Sequence, residues 1–286
     1  MKKMAVNTLG DALAAGGTTF SSDDDPELVR AAVPFSLKLI ESLLAESPQH
    51  EGLLLAAARG YTQYTYAFVQ QEADEIEGED LTRAMKMRKR ARRLYLRARN
   101  YGLRGLEVKH RGFGESLLKN SREAVLVAEV ADVSLLYWTA VSWAGAISVS
   151  KNEPELIVDM VQVEALIDRA LELDEAFDNG AIHTFLITYE MVRPGGQGEP
   201  AQRARSHFRR AVELSDGQMA GPFVSMAEAV AVQQQNLLEF KALLDRALAI
   251  DPDVRPEWRL ANRIMQRRAQ WLLGRTDELF LVSDSQ

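Results

Sequence analysis

The sequence predicts an all-α protein built as a solenoid of stacked, antiparallel helix hairpins, and two observations support that prediction. The hexapeptide RALELD at residues 169–174 recurs as RAVELS at 210–215 and as RALAID at 246–251, so its alanines stand 41 and 36 residues apart. Such spacings suit one helix-turn-helix unit plus a variable loop. The apolar fraction of 47% over 286 residues is enough for a continuous core. We therefore predict a single all-helical domain over residues 1–286.

The first two helices are predicted from helix-start and helix-stop signals. Three aspartates at 23–25 and then Pro26 supply an N-cap and a first-turn proline, and the helix they open is expected to run to about Glu46. A second helix is predicted from Glu51 through an aromatic segment to about Glu72, which makes the pair a hairpin. Residues 1–22 are expected to form an N-terminal extension or a first helix.

The next two predicted helices differ sharply in composition. Six carboxylates between positions 72 and 80 precede nine lysines and arginines between 83 and 99, an order that complements a helix dipole. The apolar segment 135–147 is too short and too rich in hydroxyl groups to span a bilayer comfortably. We predict that it is the buried central helix.

The last third of the chain is predicted to hold a flexible connector and a terminal cap. The segment 194–200 (PGGQGEP) has the composition of a loop, and its insertion explains the longer first repeat spacing. A capping helix is expected over residues 258–273. Its predicted solvent face carries four arginines, at positions 259, 263, 267 and 268.

Charge and composition exclude several kinds of function. A net charge of −7 argues against nucleic acid as the main partner, because phosphate contacts need positive charge. The basic run 83–99 remains open to two interpretations: a solvated helix face or subunit contact, or a site for the phosphate of nucleic acid or lipid. No cysteine is present, the four histidines form no paired ligand motif, and no catalytic motif stands in its structural context. We predict no metal, no cofactor and no enzymatic activity.

Aromatic and amide residues of the second predicted helix are candidates for a ligand cavity. Tyr61, Tyr64 and Phe68 stand at i, i+3 and i+7, which places them on one side of a helix. Gln63 and Gln70 are expected to form a neighbouring stripe. Core packing explains these residues equally well, although buried tyrosines and glutamines need hydrogen-bond partners.

Further candidates come from the centre of the chain. Trp138 and Trp143 are five residues apart and cannot share a helix face, so one is expected to line a cleft while the other packs. Lys151 is either a ligand for a solute carboxylate or a cation that stabilises a helix C-terminus. His183 is either a hydrogen-bonded core histidine or a polar group in a cavity. The predicted ligand-binding set is Tyr61, Gln63, Tyr64, Gln70, Gln71, Trp138, Trp143, Lys151, His183 and Tyr189.

Several separate blocks of sequence carry a family resemblance. They are residues 60–64 and 68–74, Tyr137, Trp138, Trp143, Ser148 and Lys151 ahead of 154–156, and residues 260–262, 268–273 and 277–280. Together they resemble the T-component proteins of tripartite ATP-independent periplasmic (TRAP) transporters. The resemblance extends from about residue 5 to residue 280.

The resemblance implies a tetratricopeptide-like fold and a non-catalytic role in solute uptake. Family members are expected to be periplasmic lipoproteins that assemble as homotrimers and dock the periplasmic solute-binding protein, the P component. A small hydrophobic or carboxylate-bearing solute is expected to be held or passed in an aromatic-lined cleft. The lipidated cysteine is absent here, so we expect this chain to be the soluble part that follows a removed lipoprotein signal. The alternative is a generic tetratricopeptide adaptor that binds a partner peptide in its concave groove.

Overall fold

The computed structural model describes residues 19–150 and 158–281, which are helices and connecting turns without a β-strand. The all-α prediction is confirmed. The described residues form two compact units: the first comprises 27–150 and 158–174, and the second comprises 19–26 and 175–281. The assignment of residues 1–286 to one domain stays a prediction. Most of the proposed extension 1–22 lies outside the described residues.

The helices of the first unit lie close to their predicted positions. They are α1 (Pro26–Glu46), α2 (Glu51–Thr65), a π-helical turn (Tyr66–Gln70), α3 (Gln71–Glu75), α4 (Leu81–Lys109), α5 (Phe113–Lys119), α6 (Ser121–Ala124), two 3-10 turns (Val125–Val127 and Val130–Asp132), α7 (Val133–Ser148) and α8 (Met160–Leu173). Both ends of α1 agree with the sequence prediction. The side chain of Asp80 caps α4 by accepting a hydrogen bond from the Arg83 backbone N–H at 2.9 Å.

The second unit continues the same construction. Its elements are α9 (Phe177–Tyr189), α10 (Pro200–Leu214), α11 (Ala220–Met226), a second π-helical turn (Ala227–Ala231), α12 (Leu237–Leu248), a 3-10 turn (Pro256–Trp258), α13 (Arg259–Gly274) and α14 (Thr276–Leu279). Pro200 occupies the first turn of α10, where its missing N–H costs nothing. The connector predicted at 194–200 therefore leads directly into this helix. Its flexibility stays a prediction.

The core of the first unit is built around α7, which packs against α2, α4 and α8. Two glycines of α4 allow the close approach. A Cβ on Gly102 would lie 2.1 Å from Thr139 Oγ1, and a Cβ on Gly105 would lie 2.5 Å from Leu135 Cδ2. By length and composition, residues 130–148 are the one described helical segment that could cross a bilayer, and most of it is buried inside the protein. The segment is thus a buried central helix, as predicted.

The repeated alanines lie at helix contacts. Ala170, Ala211 and Ala247 are all fully buried. In the second unit, a Cβ on Gly180 of α9 would lie 3.1 Å from the Ala211 Cα, so the two helices are in close contact there. Small side chains at this repeat position allow neighbouring helices to pack, which agrees with the repeat register.

The capping helix α13 is present, but its predicted solvent face is wrong at one position. Arg267 is exposed, whereas Arg268 is only 6% exposed and pairs with Glu228. The guanidinium of Arg268 lies 4.2 Å from the Trp271 ring centroid. Because an ion pair and an aromatic face replace water, this arginine is accommodated on the buried side.

Candidate functional site

The aromatic side of α2 is buried in the first unit. Tyr61, Tyr64 and Phe68 are each less than a tenth exposed. The Tyr61 ring stacks on Tyr101 of α4 with centroids 6.1 Å apart, and Tyr64 packs against Phe68 at 5.7 Å. The three residues share one side, as their spacing predicts.

The hydroxyl end of Tyr61 reaches a network of charged groups. Arg97 Nη1 donates to the Tyr61 hydroxyl at 3.3 Å, and the Tyr101 hydroxyl donates to Glu41 Oε1 at 2.8 Å. Burial by itself would raise the pKa of Glu41. Hydrogen bonds from Lys38, Tyr101 and Tyr61 outweigh that effect and hold its pKa below the ordinary value. The network therefore keeps Glu41 ionised and α1 attached to α4.

An open groove of about 460 Å³ lies on α4 beside this network. Its lining residues are Arg93, Leu96, Arg97, Asn100, Tyr101 and Arg104. Arg93 and Arg97 belong to the basic run 83–99, which the sequence leaves open as a phosphate site, whereas Arg104 lies beyond that run. The signal that could have found the groove is the helical spacing of the three arginines at positions 93, 97 and 104, which places them along one face.

The π-helical turn changes where the glutamines of this region lie. The backbone N–H of Gln71 bonds to the Tyr66 carbonyl, five residues back instead of four. The extra residue rotates the following side chains by about 100° around the helix. Gln63 is exposed and Gln70 is half-buried, so the predicted Gln63–Gln70 stripe is wrong.

The two glutamines after the π turn have different surroundings. Gln70 Oε1 accepts a 2.6 Å hydrogen bond from the hydroxyl of Tyr95, whose pKa is raised well above the ordinary value by complete burial. Gln71 is only 3% exposed, and its Nε2 has no hydrogen-bond partner in the described part of the chain. A buried amide without an acceptor is costly and uncommon. The position is therefore a candidate for contact with a bound polar group.

Both tryptophans of α7 are buried, including the one expected to line a cleft. Trp138 packs edge-on against Tyr137 at 4.9 Å. Trp143 donates from Nε1 to Asp159 Oδ2 at 3.0 Å, and the Arg99 guanidinium lies 4.7 Å from its ring centroid. Burial lowers the pKa of Arg99. The structure thus brings a half-buried cation onto the indole face. Lys151 lies outside the described residues.

The remaining candidates, His183 and Tyr189, belong to the second unit. His183 is 6% exposed, with its Nδ1 2.8 Å from His207 Nδ1 and its Nε2 3.1 Å from Glu175 Oε2. This is the arrangement expected of a hydrogen-bonded core histidine. Tyr189 is 3% exposed, and its ring stacks on Phe185 at 5.6 Å.

Electrostatics in this histidine cluster favour the neutral imidazoles. Burial lowers the pKa of His183, and it lowers the pKa of His207 to about 4. Hydrogen bonds from Arg210 and His183 lower the pKa of Glu175 to about 2. Within residues 19–150 and 158–281, no group of three histidine, aspartate or glutamate side chains is placed to hold a metal ion.

Comparison with known proteins identifies the family. The family model for the TRAP transporter T-component matches residues 22–280. The chain belongs to this T-component family. A protein of Treponema pallidum (strain Nichols), described as uncharacterized, is 29% identical over 266 residues, which are 92% of this chain and 82% of the relative.

Membership of the family decides between the two functional interpretations of the repeats. T-component proteins are accessory subunits of a transporter, on the periplasmic side of the membrane. The family therefore favours the transporter accessory subunit over the generic adaptor.

Of the predicted ligand-binding residues that the structure describes, all but Gln63 are buried or half-buried.

Proposed function

We propose that this T-component protein is a homotrimeric scaffold that docks the periplasmic solute-binding protein of its TRAP transporter. The observation that carries the proposal is the family match over residues 22–280, which includes nearly all described residues of both units. We also propose that a lipid anchor, attached upstream of this sequence, holds the protein at the membrane. Mass analysis of protein extracted from native membranes would detect the acyl chains.

An apolar patch in the first unit supports assembly with other chains. It consists of Leu126, Val127, Val130, Val158 and Val161, each about half to three quarters exposed. These residues lie on neighbouring elements, because the two 3-10 turns pack against α8. Monomeric proteins rarely leave such side chains clustered in water, and a patch of this kind is typical of an interface.

Polar contacts hold the patch in place from both sides. Arg169 of α8 donates to the Ala128 carbonyl at 2.9 Å, and Arg122 Nη2 lies 3.7 Å from Glu164 Oε1. The first contact fixes the 3-10 turns on α8 and the second joins α6 to α8, and the side chains of the patch stay exposed. We assign the patch to contact between copies of the chain, because a closed symmetric assembly buries the same surface of every copy.

A solute site is proposed at the buried polar groups near the π turn of the first unit. Gln71 Nε2 offers an amide donor without a partner. Gln70 precedes it in the sequence and accepts a hydrogen bond from the Tyr95 hydroxyl. A carbonyl or carboxylate of a small amphipathic solute would supply the missing acceptor. Tyr61, Tyr64, Trp138 and Trp143 would provide the apolar surroundings.

Native mass spectrometry tests the assembly directly. The 286-residue chain would be measured alone and after mixing with the solute-binding protein of the same TRAP transporter. We expect a trimer that takes up one to three copies of that protein, and we expect a small solute to travel with one partner. A monomer that does not bind the solute-binding protein would contradict the scaffold proposal.

A further inference from the structure

The exposed face of α4 is a stripe of positive charge in a protein whose net charge is −7. The helix carries eleven lysines and arginines but only one acidic residue, Glu107. The exposed cations Lys86, Lys89, Arg93, Arg97 and Arg104 follow at helical spacings, so they share one face. At 1.5 Å per residue, this basic stripe is about 27 Å long.

Carboxylates of the same unit neutralise only part of α4. Glu72 pairs with Arg83 at 2.8 Å, and Asp74 and Glu77 both pair with Arg88. These three carboxylates belong to the acidic segment that precedes the helix, and they pair with arginines of its first turns. Glu107 is occupied as well, because its carboxylate accepts hydrogen bonds from the Gly112 and Gly114 backbone N–H groups.

The middle of the stripe lacks internal counter-charges. Among the described residues, no carboxylate lies within ion-pairing distance of Lys86, Lys89 or Arg93. Arg97 has one acidic neighbour, Glu41, at 3.5 Å. Arg104 donates to the Pro48 carbonyl. Lys86, Lys89 and Arg93 are therefore available to an external anion, and Arg97 and Arg104 lie beside Arg93 in the groove.

Two exposed apolar side chains lie beside the stripe, on the N-terminal turns of α4. Leu81 and Met85 are 57% and 59% exposed, and with Lys89 and Arg93 they stand at successive intervals of four residues. Exposed apolar side chains flanked by lysines and arginines are typical of helices that lie at a lipid–water interface. A free phosphate ion would need only the cations.

We propose that this face of α4 binds the anionic phospholipid headgroups of the membrane surface. Lys86, Lys89 and Arg93 contact lipid phosphates, while Leu81 and Met85 enter the region between headgroups and acyl chains. The groove formed by Arg93, Arg97 and Arg104 accepts a single phosphate, for which the guanidinium is well shaped. The inference depends on the family's place at a membrane and not on trimer formation or receptor docking.

Vesicle co-sedimentation of the 286-residue chain tests the proposal. Vesicles of phosphatidylcholine would be compared with vesicles that also contain phosphatidylglycerol, at low and at high salt. We expect binding only to the anionic vesicles, and we expect salt to weaken it because exposed charges are screened. Equal binding to both vesicle types, or no binding to either, overturns the proposal.

A triple variant, Lys86→Gln with Lys89→Gln and Arg93→Gln, removes the unpaired cations. We expect the vesicle partition coefficient to fall about a hundredfold, roughly fivefold for each residue at an anionic surface. The matched control is Arg111→Gln with Arg209→Gln and Lys241→Gln, which makes the same change of charge at exposed positions outside α4. An equal fall of the partition coefficient in the control would mean that net charge alone drives binding, and it would overturn the proposal that the stripe is the binding face.

A second pair of variants separates a membrane surface from a soluble phosphate. Leu81→Ser with Met85→Ser removes the apolar contribution and leaves every charge in place. We expect weaker vesicle binding for this variant, but not for the control Leu238→Ser with Val254→Ser, whose residues are as exposed. Unchanged vesicle binding, together with competition by inorganic phosphate, would indicate a phosphate site and overturn the membrane proposal. Native mass spectrometry of the same variants shows whether they still form trimers and bind the solute-binding protein, so a failure of membrane binding can be told apart from a failure of the proposed function.

Discussion

The imidazole rings of His183 and His207 face each other with their Nδ1 atoms 2.8 Å apart. His183 Nε2 lies 3.1 Å from the Glu175 carboxylate, which can only accept, so the His183 proton belongs on Nε2. His183 Nδ1 then accepts from His207 Nδ1–H. A second proton on His183 would set two N–H groups against each other unless His207 changed its tautomer, and burial of the two rings disfavours a charge on either one.

Stability should therefore fall in mildly acidic solution. The folded-state pKa of each histidine is lowered, to about 4 for His207, while the unfolded value is about 6.5. Folding thus favours the neutral rings, and their contribution is complete above about pH 6.5 and is lost as the pH falls through the folded pKa. Because the pair is only partly shielded, we expect a loss of about 1–2 kcal/mol. Denaturant unfolding between pH 7 and pH 5 measures it, above the range where carboxylates titrate.

The matched variant for that measurement is His207→Gln. Its amide keeps a donor for His183 Nδ1 but removes one titrating ring, so the slope of stability against pH should be shallower. An identical slope in the variant and the parent would show that the pair does not control acid stability.

The hydrogen bond between Tyr95 and Gln70 at the π turn predicts that a single variant is less stable than the double variant. Gln70→Leu leaves the buried Tyr95 hydroxyl without its acceptor, and it should cost about 1–3 kcal/mol of unfolding free energy. Adding Tyr95→Phe removes the unsatisfied hydroxyl and should restore most of the loss. Thermal denaturation of the single and double variants checks this. Additive losses would mean that the two side chains are not coupled.

The repeat alanine of α10 predicts sensitivity to added volume. Ala211 is fully buried where Gly180 approaches it, so Ala211→Leu should overpack the contact between α9 and α10 and cost about 1–3 kcal/mol. Its melting temperature would be compared with that of Ala249→Leu, a variant two residues beyond the buried Ala247 at an exposed position. An unchanged melting temperature for Ala211→Leu would contradict the repeat register.

The apolar patch predicts loss of assembly when charge is introduced. Leu126→Asp with Val130→Asp should dissociate the proposed trimer, because burying two carboxylates between copies is strongly unfavourable. The control is Leu238→Asp, at a site that is 84% exposed on α12. Native mass spectrometry reads out both. A trimer that persists in the double variant but no longer takes up the solute-binding protein would reassign the patch to docking.

Much of the helical framework could be predicted from the sequence. The limits of α1, the buried segment 135–147 and the burial of the repeat alanines all follow from local signals: caps, prolines and apolar periodicity. The placement of Tyr61, Tyr64 and Phe68 on one side also follows from helical spacing. The family resemblance, which the comparison confirms, required several separate blocks of sequence.

Only the tertiary structure shows features that depend on contacts between distant residues or on a departure from the regular helix. The sequence determined which segments are helical and that they repeat, because those properties come from neighbouring residues and from a period of 3.6. It could not show the π turn that separates Gln63 from Gln70, since one inserted residue leaves little trace in composition. Nor could it show that His183 meets His207 or that Arg268 is buried, because a side chain's environment is set by the helices packed against it.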